Sequence, residues 1–319
     1  MSGPAALAVV GPTATGKSEL AVRLAERLDG EVISMDSRQA YRGMEVGTAA
    51  PTEAQRRRAP HHGVAFLDPD ERYGAGRFAR RARRWIREIR GRGLVPILAG
   101  GTGLFLRALT DPVFEEPEMD PDRREALEDW LEGVPEEDLE RWARRLDPDL
   151  AEELDDLDPQ RCARTLELAL LSGKPLSWWQ EHGEPEARPV EVLVAALEMD
   201  RDPLRARIRQ RVERQLASGW AEEVRRLRAA GYGEGDPPFT AVGYTEVAQM
   251  LDGEREREEV VERVVTRTWR YVRRQRTWFR HQLPDGTLRL DAERPADELV
   301  RRVEDAWRTA TERHGEDHA

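Results

Sequence analysis

Hydrophobic and polar positions follow two repeating patterns in the first third of the chain. Residues 5–10 form a continuous apolar run of the length of a buried strand, and residues 17–28 then place apolar side chains at helical spacing. Residues 31–36 predict a second buried strand, residues 76–90 a helix, and residues 94–99 a third strand. Because strands and helices follow one another in turn, the pattern predicts a parallel sheet covered by helices on both faces.

This alternation stops between residues 117 and 189, where the apolar spacing and the Asp-Pro and Gly-Lys-Pro turns favour helices. A buried strand at residues 190–197 then restores the first pattern. The remaining elements are predicted as two long helices, a short strand and a last helix, at residues 201–230, 254–281, 287–290 and 296–311. We therefore predict one α/β domain, residues 1–116 and 190–319, that is interrupted by a helical insertion at residues 117–189.

Charge is distributed unevenly over the 319 residues. The 51 basic and 62 acidic side chains give a net charge of −11, which argues against a uniformly basic nucleic-acid-binding protein. However, residues 115–160 contain 20 acidic and 5 basic side chains, a local charge of −15, so the rest of the chain carries +4. Only Lys17 and Lys174 are lysines and 49 basic residues are arginines, so an arginine cluster is weak evidence of a site here and a lysine is stronger evidence.

The single cysteine, Cys162, excludes an intramolecular disulfide and a site with several cysteine ligands. The amino-terminal residues lack the basic start and long apolar stretch of a signal peptide. The longest apolar runs are far shorter than the roughly 20 residues that a membrane helix needs. We expect a soluble, cytoplasmic protein.

The sequence GPTATGKS at residues 11–18 matches the phosphate-binding P-loop pattern, and it lies between a predicted strand and a predicted helix. Glycines at both ends let successive N–H groups face inward, and the following helix adds its positive end. Lys17 then neutralises phosphate charge, and the Ser18 hydroxyl can hold Mg²⁺. We predict a P-loop NTPase-like core whose phosphate-binding residues are Gly11, Pro12, Thr13, Ala14, Thr15, Gly16, Lys17 and Ser18. Kinases, NTPases and other transferases share this loop, so it does not identify the reaction.

Two further polar residues follow predicted strands. Asp36 ends the second strand and Thr102 follows the third, so both belong to the sheet edge that carries the P-loop. Asp36 is a candidate general base, and an N-cap for the next helix is an equally good interpretation. Thr102 is open to the same two interpretations.

Several segments resemble the bacterial tRNA dimethylallyltransferase family. They occur in order over nearly the whole chain, and the most specific is the one that follows the second strand: GPTATGKS, MDSRQAYRGMEVGTAAPT (35–52), PILAGGTGLFLRAL (96–109), DPQRCARTLEL (158–168), AVGYTE (241–246) and RRQRTWFRHQ (273–282). The resemblance implies a Mg²⁺-dependent enzyme that transfers a dimethylallyl group from dimethylallyl diphosphate to N6 of the adenosine immediately 3′ of the anticodon of a tRNA. We expect the protein to be a monomer.

The resemblance also implies roles for individual residues. Asp36 would accept the proton of the adenosine amine, Thr102 would position the amine or stabilise the diphosphate, and Lys17 would stabilise the leaving group with Ser18 as the Mg²⁺ ligand. Arg211 would contact the diphosphate, although Arg207, Arg209 and Arg214 are close in sequence. The residues expected to contact tRNA are Asp36, Ser37, Arg38, Gln39, Thr102, Arg124, Gln160, Arg161, Arg164, Val242, Gly243 and Tyr244.

Residues 263–280 contain seven arginines, four aromatic residues and no acid. Arginines interleaved with aromatic rings suit phosphate contact and base stacking. An amphipathic helix with its rings in the core would have the same pattern, and for Trp278 and Phe279 we favour the core.

Three alternative functions remain open from the sequence. An adenylate isopentenyltransferase would share the P-loop but act on a free nucleotide, which needs no helical insertion. A small-molecule kinase with a helical lid would consume a nucleoside triphosphate. A non-catalytic RNA-binding protein would not depend on Asp36.

Overall fold

The computed structural model describes residues 3–153, 159–233 and 235–316. The chain forms two compact units, Met1–Asp111 with Val190–Ala319, and Pro112–Pro189. The second unit begins five residues before the boundary that the sequence predicted at residue 117. The reason is local pairing, because the Glu115 N–H donates to the Glu184 carbonyl at 2.6 Å.

Within the described ranges the structure contains strands β1–β6 and helices α1–α15. The strands are β1 (Ala6–Val10), β2 (Gly30–Ser34), β3 (His61–His62), β4 (Val95–Gly100), β5 (Val192–Glu198) and β6 (Leu288–Asp291). The helices are α1 (Lys17–Leu28), α2 (Glu53–Arg58), α3 (Ala75–Gly91), α4 (Gly103–Thr110), α5 (Pro121–Glu132), α6 (Glu136–Leu146), α7 (Pro148–Glu153), α8 (Pro159–Ser172), α9 (Leu176–His182), α10 (Arg201–Ala217), α11 (Trp220–Ala229), α12 (Pro237–Thr240), α13 (Tyr244–Leu251), α14 (Arg257–Gln282) and α15 (Ala296–Glu316).

All six strands lie in one parallel sheet of the first unit, in the order β3-β2-β4-β1-β5-β6. The five residues of β1 are fully buried, as expected for a central strand covered on both faces. Val10 pairs with Gly100 of β4 and with Ala196 of β5, so the carboxyl ends of these strands are level. This alignment brings the P-loop after β1 beside the turn after β4, and it confirms the predicted α/β fold.

Three details differ from the sequence-based elements. The strand predicted to reach Asp36 ends at Ser34, so Asp36 lies in the loop beyond it. The helix predicted over residues 201–230 is two helices, because Gly219 adopts a left-handed φ of 98° between α10 and α11. The edge strand β3 was not predicted, since two residues are too few to produce a period.

The second unit has its own core, built from α5–α9. Its buried side chains include Leu139, Cys162, Leu166 and Leu168. Asp147 is also buried, and its carboxylate caps two helix starts by accepting from the N–H groups of Leu150 at 3.2 Å and Ser177 at 2.9 Å. No helix in the described parts of the chain is both long and apolar enough to cross a bilayer.

Candidate active site

The P-loop after β1 takes a conformation that depends on its two glycines. Gly11 has a φ of 141°, and a Cβ there would lie 2.5 Å from the Leu197 carbonyl oxygen of the neighbouring strand. Gly16 has a φ of 97° at the start of α1, and Ala14 between them is also left-handed at 66°. The Thr15 hydroxyl closes the loop by donating to the Pro12 carbonyl at 2.8 Å. The glycine spacing therefore serves backbone geometry, as the sequence predicted.

Two cations lie at this loop. The Lys17 ammonium donates to the Pro12 carbonyl at 2.6 Å, and the Arg211 guanidinium donates to the Thr13 hydroxyl at 2.7 Å. Burial lowers the pKa of Lys17 to about 7; the charge of Arg211 lowers it further and that of Asp36 opposes the shift. Burial also lowers the pKa of Arg211, with Asp36 opposing it. The site thus holds positive charge in a confined space, which suits a polyanion.

The structure separates Arg211 from its neighbours in sequence. Arg209 faces away from the loop and pairs with Glu258 and Glu262 of α14. Arg207 and Arg214 line the cavity in front of the P-loop, and only Arg211 bonds to a P-loop residue among the described contacts of these four arginines. Its second nitrogen donates to the Thr48 carbonyl at 3.0 Å, so the guanidinium is fixed at both ends.

The N-cap interpretation of Asp36 is wrong, because the next helix, α2, begins only at Glu53. The Asp36 carboxylate instead holds the turn that follows β2, and it also faces the site. Its Oδ1 accepts from the backbone N–H groups of Arg38 at 2.8 Å and Gln39 at 3.3 Å. The residue is partly exposed and lines both cavities described below. Since both bonds use Oδ1, the second carboxylate oxygen is the one that can take up a proton. The turn-forming bonds therefore leave the general-base interpretation open.

Thr102 does not cap the helix that follows it. It occupies the N-cap position of α4, but its side chain makes no capping bond. Its side chain instead lies close to Tyr271 of α14. Burial raises the pKa of Tyr271 to about 12, with the charge of Asp36 adding to the shift and the nearby Thr102 side chain opposing it, so this phenol stays protonated. Tyr271 was not predicted as a site residue.

Two cavities adjoin the P-loop and Asp36. The larger, about 950 Å³, is lined by five P-loop residues and three arginines: Thr13, Ala14, Gly16, Lys17, Ser18, Arg207, Arg211 and Arg214. The smaller, about 260 Å³, has apolar walls that include Ile208, Val212 and Val264. Four residues line both cavities: Thr13, Asp36, Arg211 and Gln215. A polar compartment and a partly apolar one thus share a border that carries a carboxylate.

The segment 44–50 forms part of this border and is held by buried polar side chains. Glu223 accepts from the N–H groups of Val46 at 2.7 Å and Gly47 at 2.8 Å, and Gln215 donates to their carbonyls at 2.9 and 2.7 Å. Gln39 donates to the Ala49 carbonyl at 3.2 Å. Glu223 and Gln215 were not predicted, although polar residues on the apolar faces of their helices were a possible signal.

Part of the predicted tRNA contact set makes contacts inside the protein. The Tyr244 ring is fully buried, and its hydroxyl donates to Glu223 at 2.8 Å, so this side chain supports the segment 44–50 from the interior. Gly243, with φ of 101°, leaves room for the Trp220 ring, which would lie 2.1 Å from a Cβ. Gln39 is likewise engaged inward. Ser37, Arg38, Val242 and the buried Tyr244 line the smaller cavity, and Gln39 lines the larger one.

The predicted contacts in the second unit are polar but engaged with acids. Arg124 pairs with Glu167 at 2.6 Å, Glu128 at 3.2 Å and Glu116 at 3.4 Å, and Arg164 pairs with the same Glu116 and Glu167. Gln160 is exposed and Arg161 is partly exposed. Glu167 is buried between the two arginines, so it neutralises both of them inside this unit.

Helix α14 presents a basic surface. An open concavity of about 670 Å³ is lined by Arg270, Arg273, Arg274, Thr277, Trp278, His281 and Gln282. Within the described residues no carboxylate pairs with these three arginines. On the opposite side Phe279 is buried, as predicted, whereas Trp278 is only partly buried against Gly103. We name Arg270, Arg273 and Arg274 the α14 arginines.

Comparison with known proteins gives two family matches. The model of the IPP transferase family matches residues 39–282, and that of the isopentenyl transferases matches residues 4–59. A tRNA dimethylallyltransferase of Geobacter metallireducens is 42% identical over 272 residues, which is 85% of this chain and 88% of that protein. One from Kocuria rhizophila is 43% identical over 274 residues, covering 86% and 85%.

Solved structures are similar over most of the chain. A full-length tRNA isopentenylpyrophosphate transferase from Bacillus halodurans has a TM-score of 0.70 at 32% identity, covering 98% of this chain and 99% of that one. A eukaryotic dimethylallyltransferase acting on tRNA has a TM-score of 0.76 at 27% identity, covering 90% and 73%. The similarity extends across both units of the fold.

Proposed function

The chain belongs to the IPP transferase family, and from that premise we propose that it is a tRNA dimethylallyltransferase. The donor is dimethylallyl diphosphate and the acceptor is N6 of the adenosine immediately 3′ of the anticodon. The observation that carries the proposal is the position of Asp36, which lines both a polar, cationic cavity and a partly apolar one.

The P-loop and its cations suit the departure of diphosphate. In the reaction the C–O bond of the donor breaks, its electron pair leaves with diphosphate, and a new bond forms between the allylic carbon and N6. Lys17 and Arg211 are placed to stabilise the charge that grows on the departing oxygen. The transfer needs no phosphoryl acceptor and no nucleoside triphosphate.

The proton of the amine needs an acceptor once the new bond forms. Asp36 is the carboxylate at the border of the two cavities, and we assign it this role. Thr102 makes no capping bond to the helix it precedes and lies close to Tyr271, and we assign its hydroxyl oxygen a hydrogen bond from the amine. These two residues act on the acceptor, while the P-loop acts on the donor.

Mg²⁺ is part of the proposal. Ser18 is exposed at the cavity in front of the P-loop, so its hydroxyl can be one ligand of an ion that diphosphate oxygens and water also hold. No group of three or more His, Cys, Asp or Glu side chains among the described residues could bind the ion alone. The residues therefore fit a metal that arrives with the donor, and it would neutralise diphosphate charge.

We propose the tRNA anticodon loop as partner because an unpaired loop base can leave its stack at low cost. The α14 arginines supply phosphate contacts, and Gln160 and Arg161 are the candidates in the second unit. A monomeric state and a cytoplasmic location are further predictions of the sequence.

Mass spectrometry of tRNA after incubation with dimethylallyl diphosphate and Mg²⁺ tests the proposal. We expect a mass increase of one C5H8 unit on the adenosine beside the anticodon, without any nucleoside triphosphate. Prenylation of AMP with no modification of an anticodon stem-loop would instead support the free-nucleotide enzyme. Formation of ADP from ATP with a small acceptor would support a kinase.

A further inference from the structure

One glutamine of α14 lies in the interior among its arginines. Gln275 is only 6% exposed, and both ends of its carboxamide are bonded. Its Oε1 accepts from the Thr13 N–H at 3.0 Å, and its Nε2 donates to the Gly101 carbonyl at 2.8 Å. The two partners are backbone groups of different loops, so this side chain joins the P-loop to the turn after β4.

Each partner is next to a group that the proposed reaction uses. Thr13 lies in the P-loop, and its hydroxyl accepts from Arg211 at 2.7 Å. Gly101 immediately precedes Thr102, whose own N–H donates to the Met35 carbonyl at 3.4 Å. The Gln275 carboxamide therefore connects the P-loop, to which we assign the diphosphate, with the turn that carries Thr102.

The surroundings are shaped for this side chain. A Cβ on Gly101 would lie 2.3 Å from the Gln275 Nε2, so only glycine at this position lets the amide approach. One bond requires an acceptor and the other requires a donor, and a carboxamide supplies both from one planar group. Glutamate would lose the donor, and methionine would lose both bonds at a similar volume.

We propose that Gln275 is a positioning residue that sets the distance between the diphosphate and the amine by clamping Thr13 to Gly101. It touches neither substrate and acts through the two loops. The inference rests on the proposed function, because it assigns the turn to the acceptor and the P-loop to the donor. A misplacement of about 1 Å between reacting groups can reduce a rate by about 10²-fold.

Gln275→Met and Gln275→Glu test the clamp, with Gln249→Met as the control. Gln249 is a partly buried glutamine in α13 whose side chain accepts one bond, from Arg255 at 2.7 Å. The measurements are kcat, the KM for dimethylallyl diphosphate, the Kd for inorganic diphosphate with Mg²⁺, the Kd for an anticodon stem-loop, and Tm. We expect both Gln275 variants to lower kcat by roughly 10- to 100-fold and to weaken diphosphate binding, with the RNA Kd within about twofold.

Gly101→Ala provides a second route to the same effect, because its methyl group displaces Nε2 while the glutamine stays in place. If the clamp is the cause, Gly101→Ala and Gln275→Met together should cost no more than the larger single change. Additive losses would overturn the proposal. So would a normal kcat and diphosphate Kd in Gln275→Met, or a parallel loss of RNA binding and Tm with kcat per folded molecule unchanged.

The outcomes separate this inference from the proposed function. If the unsubstituted protein does not prenylate RNA, the function is wrong, and the Kd for inorganic diphosphate still reports on the P-loop half of the clamp. If it prenylates RNA and the Gln275 variants do so equally well, the positioning role is wrong and the function stands.

Discussion

Asp36 combines two tasks in one carboxylate, and the tasks can be separated by substitution. Asparagine keeps an oxygen that can accept from the N–H groups of Arg38 and Gln39, but it cannot take up a proton. We therefore expect Asp36→Asn to keep the Tm of the parent while kcat falls by about 10²-fold or more. Prenyl transfer at saturating substrates and thermal unfolding are the measurements. A normal kcat in Asp36→Asn would show that Asp36 only stabilises the turn at residues 36–39.

Lys17 should take up a proton when the donor binds. Its pKa is lowered to about 7 in the protein alone, and a diphosphate beside it favours the charged form. Above pH 7 the free protein has lost this proton, so binding must restore it and affinity falls as pH rises. Below pH 7 the ammonium is already charged and no uptake is expected.

The matched variant for this experiment is Lys17→Arg, whose side chain stays protonated at every pH of the assay. Calorimetry of inorganic diphosphate binding at pH 8, in buffers of different ionisation enthalpy, gives the number of protons exchanged. We expect the unsubstituted protein to take up close to one proton more than Lys17→Arg, since the ligand's own protons cancel in the difference. Equal uptake would contradict a neutral Lys17.

Some residues of the site could be predicted from the sequence, and others could not. The P-loop was predictable because its geometry depends on glycines within eight consecutive positions. Tyr271, Gln275 and Glu223 were not, because their partners lie far away in sequence; Gln275 and Thr13, for example, are 262 positions apart. Local spacing indicates that such a side chain is polar on a buried face, but only the fold determines which loop it meets.

Helix α14 shows why element type was easier to predict than element role. Its arginines and rings were compatible with RNA contact or with core packing, and the structure shows buried side chains on one side of the helix and exposed arginines on another. Val272, Gln275 and Phe279 are buried, while the α14 arginines line an open surface. The same helix thus supports the P-loop through Gln275 and offers positive charge to a partner.

The VGY sequence, residues 242–244 at the start of α13, is another case in which only the structure reveals what a side chain contacts. Tyr244 was expected to contact RNA, but it bonds to Glu223 and to the Met44 carbonyl in the interior. Tyr244→Phe should lower the free energy of unfolding by about 1–3 kcal/mol, the usual loss for a bond to a charged group. Stem-loop affinity should not change by more than about twofold. Weaker RNA binding at unchanged stability would restore the contact role.

For the molecule as a whole, hydrophobic periodicity was enough to predict the fold. How the charges bear on a partner could be judged only with the structure. The alternation of buried runs and helical faces predicted the parallel sheet because a strand covered on both faces needs a continuous apolar run. Net charge was a poor guide to the partner, since residues 115–160 carry −15 and the remainder +4. In the second unit the acids also neutralise Arg124 and Arg164.

This distribution predicts which charges control RNA binding. The logarithm of the affinity for an anticodon stem-loop should fall linearly with the logarithm of the salt concentration, because each phosphate contact releases a counterion. The double variant Arg270→Gln, Arg273→Gln removes two cations that no described carboxylate neutralises. We expect its slope of log affinity against log salt concentration to be less steep by about 1 to 2. Filter binding over a range of salt concentrations measures the slope.

The control is Arg57→Gln with Arg58→Gln, which removes the same formal charge from α2. Those arginines pair with Glu53 and with Glu19 and Glu26, so they are already neutralised on the protein surface. If net charge governed binding, both double variants would change the slope equally. If local, unpaired charge governs it, only the α14 pair changes the slope, and a protein of net charge −11 can still bind a polyanion.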